Sequence, residues 1–110
     1  MGSVEEVKDI LRELGMEKVY EIDRWMDCTL YITSFRGMEF IVAVTKGRNT
    51  LYAKIIPAHQ IPTSYWSCRY VDYVPSGLYA FGKDVSELCR NIVNKAELLA
   101  KATGAEGMKS

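Results

Sequence analysis

Cysteine and histidine are scarce in this chain, and neither is spaced for metal. Cys28, Cys68 and Cys89 stand far apart with no CxxC pair, which argues against a finger- or ribbon-type zinc site. They are expected to be three buried, reduced thiols. His59 is the only histidine, set in a stiff segment between Pro57 and Pro62. No local signature around any cysteine marks a thiol enzyme, and Gly37 and Gly47 sit in single-glycine turns rather than a phosphate cradle. Neither an enzymatic activity nor a cofactor nor a metal is expected. Long apolar runs are also missing, none approaching the roughly 18 residues of a membrane span. The N-terminus has no basic segment leading into an apolar one, and position 6, where myristoylation needs Ser or Thr, is Glu6. A cytoplasmic protein without membrane contact is therefore expected. Side-chain amides are few, Gln60 being the single glutamine, which hints at a thermophilic source.

Net charge is zero, but the charges are not evenly placed. Between Arg24 and Lys83 there are seven basic residues against Asp27, Glu39 and Asp72, an excess of four. The remainder carries seven basic and eleven acidic residues, the opposite imbalance. Eleven of the twelve aromatic residues fall in the same basic stretch. Rings mixed with cations suit unpaired nucleic acid, whose bases stack and whose phosphates are negative. An excess of four is too small for a dedicated duplex binder, which gains affinity with every phosphate it neutralises.

The sequence punctuates itself clearly at both ends. Ser3 and Glu6 form a capping box, Val4, Val7, Ile10, Leu11 and Leu14 recur at helical spacing, and Gly15 supplies a stop. Near the other end, Asp84 and Glu87 repeat the box ahead of a stripe running from Val85 through Leu88, Ile92 and Ala96 to Leu99, with Gly104 as the stop. Between the helices the period changes to two. Thr29–Phe35, Met38–Val44 and Thr50–Ile56 read as strands joined by tight turns, with a fourth at Tyr65–Val74 and a short fifth at Leu78–Phe81. The expected fold is α+β: an antiparallel meander of four or five strands with both helices on one face. Residues 1–104 would form a single domain, with a disordered tail at 105–110.

If helices cover one face, the other stays open, and alternation assigns side chains to it. Tyr31 and Phe35 lie opposite Leu30 and Ile32, and Tyr52 and Lys54 lie opposite Leu51, Ala53 and Ile55. Tyr31, Phe35, Tyr52, Tyr73 and Trp25 are expected to stack on bases. Arg24, Arg36, Arg48, Lys54 and Arg69 are expected to meet phosphates. Phe40, Phe81, and Trp66 or Tyr70 are expected in the core, since strands favour rings for packing alone. The competing expectation is a non-enzymatic protein-interaction module, because Val85, Ile92 and Leu99 recur at intervals of seven and could pair the last helix with a second copy.

The Ser3–Gly15 helix, the aromatic meander from Tyr31 to Tyr73 and the helix from Asp84 together resemble the ThermoDBP family, single-stranded DNA-binding proteins of hyperthermophilic archaea of the Thermoproteales. The resemblance covers residues 3–103 and lies in size and element order, without a short motif. It implies a cleft lined by rings and edged by cations, a single-stranded nucleic acid as partner, and a homodimer through the C-terminal helix.

Overall fold

The computed structural model describes the backbone of residues 4–102 and the side chains of residues 7–102. The Ser3–Glu6 capping box, the Gly104 stop and the 105–110 tail lie outside the described residues. The order is α1 (Val4–Glu13), β1 (Glu17–Trp25), β2 (Cys28–Phe35), β3 (Met38–Lys46), β4 (Leu51–Pro57), β5 (Leu78–Gly82) and α2 (Val85–Ala102). The five strands form one antiparallel sheet in sequential order, and both helices pack on the same face. This is the α+β meander that the sequence led us to expect.

Each boundary has a local cause. Gly15 adopts φ +109, which only glycine takes up without strain, and lets the Met16 N–H reach back to the Leu11 carbonyl at 3.0 Å. Arg36 and Gly37, both at positive φ, make the two-residue β2–β3 turn whose twist matches that of its strands. The α2 box forms as expected. The Glu87 N–H donates to the Asp84 carboxylate and the Lys83 N–H to the Glu87 carboxylate, both at 2.8 Å.

Two elements differ from expectation. A strand, β1, precedes the ones expected. Val19 is its only buried residue, and bulges interrupt its pairing between Glu17 and Tyr20 and between Glu21 and Asp23, so no clean alternation marks it. Conversely, Tyr65–Val74 is not a strand. Thr63–Tyr65 and Val71–Tyr73 are 3-10 turns, preceded by another at Ala58–Gln60. The buried positions there are Cys68, Val71 and Val74, spaced by three, which is the 3-10 period rather than the strand period.

The core accordingly has two parts. Tyr31, Phe35, Phe40, Val42, Ala53, Ile55 and Ala80 face the helices and meet Val7, Leu11, Leu88 and Ile92. Leu30, Ile41, Ala43 and Ile56 face the other way and are covered by Ala58, Ile61, Cys68, Val71 and Val74. The central strands are thus apolar on both sides, and the expectation of one open face is corrected. Along α2, Val85, Leu88, Cys89, Ile92, Ala96 and Ala100 are buried against its own sheet and α1.

Cys28 and Cys68 are joined in a disulfide across 40 positions of sequence, which corrects the expectation of three reduced thiols. Wide spacing gives no sign of the pair because it meets only when the 3-10 segment folds back over β2. Closing a loop of that length removes about 4 kcal/mol of chain entropy from the unfolded state. Cys89 is the free thiol, and burial pushes its pKa from 9.0 up to about 12, so it stays protonated and inert. Colorimetric thiol titration should therefore find no reactive thiol in the native chain and one, Cys89, in the denatured unreduced chain. All three should react after reduction. Two or more thiols before reduction would rule out the Cys28–Cys68 bond.

Candidate nucleic-acid interface

The strand register aligns residues into rows across the sheet. On the face turned away from the helices, the last row runs Trp25, Cys28, Thr45, Tyr52, Phe81, each paired directly with the next. Five strands at about 4.8 Å spacing make this row roughly 19 Å long. The next row inward is Asp23, Leu30, Ala43, Lys54 and Tyr79. The 3-10 segment buries the middle of that inner row but leaves the outer one largely open. Trp25 is 46% exposed, Phe81 57% and Tyr79 43%, with Tyr52 half-buried between them. The rings of Tyr52 and Phe81 lie 6.2 Å apart, and those of Phe81 and Tyr79 6.4 Å apart and nearly parallel.

Cations border this row. The Arg69 guanidinium sits over the Trp25 ring at 5.2 Å. A groove of about 380 Å³ opens beside them, walled by Cys68, Tyr70, Asp72 and the 77%-exposed Tyr73. At the β5 end, Lys46, Arg48 and Lys83 line a second groove of about 280 Å³. A Cβ on Gly47 would stand 3.8 Å from the Tyr52 ring, so the turn carrying Arg48 lies directly against that ring. Asp84 and Glu87, nearby, are engaged in capping α2.

The structure brings together Trp25, Arg48, Tyr52, Arg69 and Tyr73 from the expected set. It separates the others. Tyr31 and Phe35 are 1% and 9% exposed on the helix side: on β2 the set expected to face outward is the one the helices cover, while on β4 Tyr52 and Lys54 do point away from the helices. Arg36 also lies on that side, paired with Glu97 of α2 at 3.2 Å and placed over the Phe35 ring. Arg24 is paired in fork geometry with Glu21, at 2.8 and 2.9 Å, which lowers the pKa of that carboxyl. Phe81, expected in the core, is exposed. Tyr79, Phe81 and Lys83 are the members that the sequence reasoning missed. The signal was present: Leu78 and Ala80 alternate with Tyr79 and Phe81 in phase with Tyr52 and Lys54.

Lys54 is the largest departure. It is 4% exposed, and its Nζ donates to the backbone carbonyls of Val71, at 3.1 Å, and Val74. The ammonium also faces the Tyr79 ring at 5.6 Å. It is a fastener between sheet and 3-10 segment rather than a phosphate contact. Burial pushes its pKa below the usual lysine value, with Asp72 pulling the other way. Burial and the Asp72 charge push the Tyr79 hydroxyl above its usual value.

Among the described residues no cluster of His, Cys, Asp and Glu could hold a metal ion, and no helix is long and apolar enough to cross a membrane. Comparison of the chain with family models, curated proteins and solved structures gave no match.

Replacing Lys54 with Met should cost about 1–3 kcal/mol, since the Val74 carbonyl loses its donor in dry surroundings and the Val71 carbonyl keeps only the Val74 N–H. The pH dependence has a definite sign. With the folded pKa below the unfolded one, the unfolded chain binds more protons, so this group adds stability as pH rises toward the ordinary lysine value. Tyr79, shifted up, opposes it only above the ordinary tyrosine value. Denaturant titrations over about pH 8–10 should show the gap between wild type and Lys54→Met widening with pH. A gap that narrows would contradict the burial argument.

Proposed function

We propose that the chain binds single-stranded nucleic acid along the outer row of the sheet, with little sequence preference. The observation that carries this reading is the row itself: Trp25 on β1 and Tyr52 and Phe81 on the adjacent β4 and β5, with Arg69 at one end and Lys46, Arg48 and Lys83 at the other. Rings at fixed spacing accept any base, because every base has a flat face, and each stack contributes about 1–3 kcal/mol. A duplex hides those faces and offers mainly phosphates, for which this edge has few cations. The reading agrees with what the resemblance to the ThermoDBP family implies, though the rings lie on a different part of the sheet from the one expected.

Fluorescence-anisotropy titration with a labelled oligothymidine tests it. Tyr52→Ala and Phe81→Ala should each weaken binding by about tenfold, within the range for one lost stack. Both should leave the fold intact, because a cross-strand ring pair adds no more than about 1 kcal/mol. Tyr20→Ala, an exposed ring outside the row, should bind like wild type. With three or four phosphate contacts on single-stranded DNA, log K should fall against log salt with a slope of about −2 to −3. Absence of binding at low salt, or equal loss in Tyr20→Ala, would refute the proposal.

A further inference from the structure

We propose that the Cys28–Cys68 disulfide is a reversible redox tie that holds the Arg69 end of this interface in place; the inference rests on the nucleic-acid reading for its effect on binding, but not for its effect on structure. Trp25 and Cys28 are direct cross-strand partners, and Cys68 and Arg69 are consecutive. The disulfide and the Arg69–Trp25 contact therefore form two adjacent bridges between the β1–β2 hairpin and the 3-10 segment. The segment makes no ladder with the sheet. Its backbone hydrogen bonds run to carbonyls two to four residues earlier, and its polar ties to the sheet are Lys54 and the Cys68 N–H, which donates to the Asp23 carboxylate at 2.8 Å. Lys54 fastens the Val71–Val74 end, so the disulfide is the strong tie at the Arg69 end. The bond is also within reach of solvent. Cys28 is partly exposed, and Cys68 forms a wall of the groove that holds Trp25, Arg69 and Tyr73.

A dithiol reductant would open the tie by exchange. Its thiolate attacks one sulfur, a mixed disulfide forms, and the other cysteine leaves as a thiolate and takes up a proton. The reductant's second thiolate then displaces the remaining cysteine. Two electrons pass to the protein, Cys28 and Cys68 become thiols, and the reductant becomes a disulfide. Exchange with an oxidised dithiol reverses the sequence. Once open, the segment around Arg69 is held at that end by the Cys68 N–H to Asp23 hydrogen bond, the Arg69–Trp25 contact and apolar packing, with no covalent tie. Arg69, Tyr70 and Tyr73 then lose their fixed position beside Trp25.

The test compares the whole chain, oxidised and treated with dithiothreitol, alongside Cys68→Ser. Amide hydrogen exchange over residues 61–74 should quicken by about tenfold or more in both open forms, with β3 unchanged as an internal reference. Anisotropy with labelled oligothymidine should show affinity falling by about tenfold, and re-oxidation of the wild type should restore it. Equal exchange at 61–74 in oxidised and reduced protein would overturn the tie. Faster exchange with unchanged affinity would overturn its control of binding. If neither form binds the strand, the nucleic-acid reading falls and takes the affinity effect with it, while the exchange ratio still decides whether the bond restrains the segment.

Discussion

One ammonium group, that of Lys54, decides how the second face of the sheet is closed. Strands β2, β3 and β4 carry apolar side chains on both sides, so neither face can be left in water. Helices cover one face and satisfy their own backbone groups. The other face is covered by three 3-10 turns, which leave carbonyls pointing inward with no strand N–H to accept from. Two of these, on Val71 and Val74, accept from Lys54. An apolar residue at position 54 would leave the Val74 carbonyl without a donor and the Val71 carbonyl with the Val74 N–H alone, a heavier penalty than burying a cation that has two acceptors and a ring beside it. The burial of Val71 and Val74 is in this sense conditional on the lysine.

The same dependence explains what could be read from the sequence. The two helices, the β2–β4 hairpins and the order of elements follow from local rules of capping, turn type and alternation, and these were legible. Alternation split the side chains correctly within β2 and within β4, but it put Tyr31 and Phe35 on one face with Tyr52 and Lys54, which the register sets on opposite faces. It could not say which set faced the helices, because both were apolar enough to be core. Lys54 sits where a solvent-facing residue would sit, and no local rule identifies a lysine that is buried by a segment arriving from elsewhere. Tyr65–Val74 misled for a related reason. Its rings and β-branched residues imitate a strand, while its three-residue spacing of Cys68, Val71 and Val74 becomes visible only once those are known to be the inward ones.

The open row exists because this cover stops short. Cys68 reaches β2 at Cys28, and from there the chain turns through Val71–Tyr73 back toward β4, held by Lys54 one row further in. Pro75 and Gly77 then carry it into β5. Gly77 has φ +105, and a Cβ there would lie 2.6 Å from the Ile55 carbonyl oxygen, so the turn passes too close to β4 for any other residue. That tight passage sets the register of β5 and aligns Phe81 with Tyr52. The disulfide and the lysine together thus fix where the covered surface ends and the ring row begins.

Rings left open at the end of a sheet invite pairing with another strand, and the two edges meet that hazard differently. β1 is long, but it is bulged twice and carries Glu17, Lys18, Glu21 and Arg24. Bulges and charges of this kind spoil a template for a further strand. β5 has no charge among Leu78–Gly82 and is only five residues long. Its protection comes from α2: the Asn91 amide donates to the Phe81 carbonyl at 2.6 Å and occupies an acceptor that an added strand would use. The backbone of β5 is blunted in this way while the Tyr79 and Phe81 rings remain outside. The β5 edge is thus blunted at one acceptor against main-chain pairing while its ring faces stay accessible.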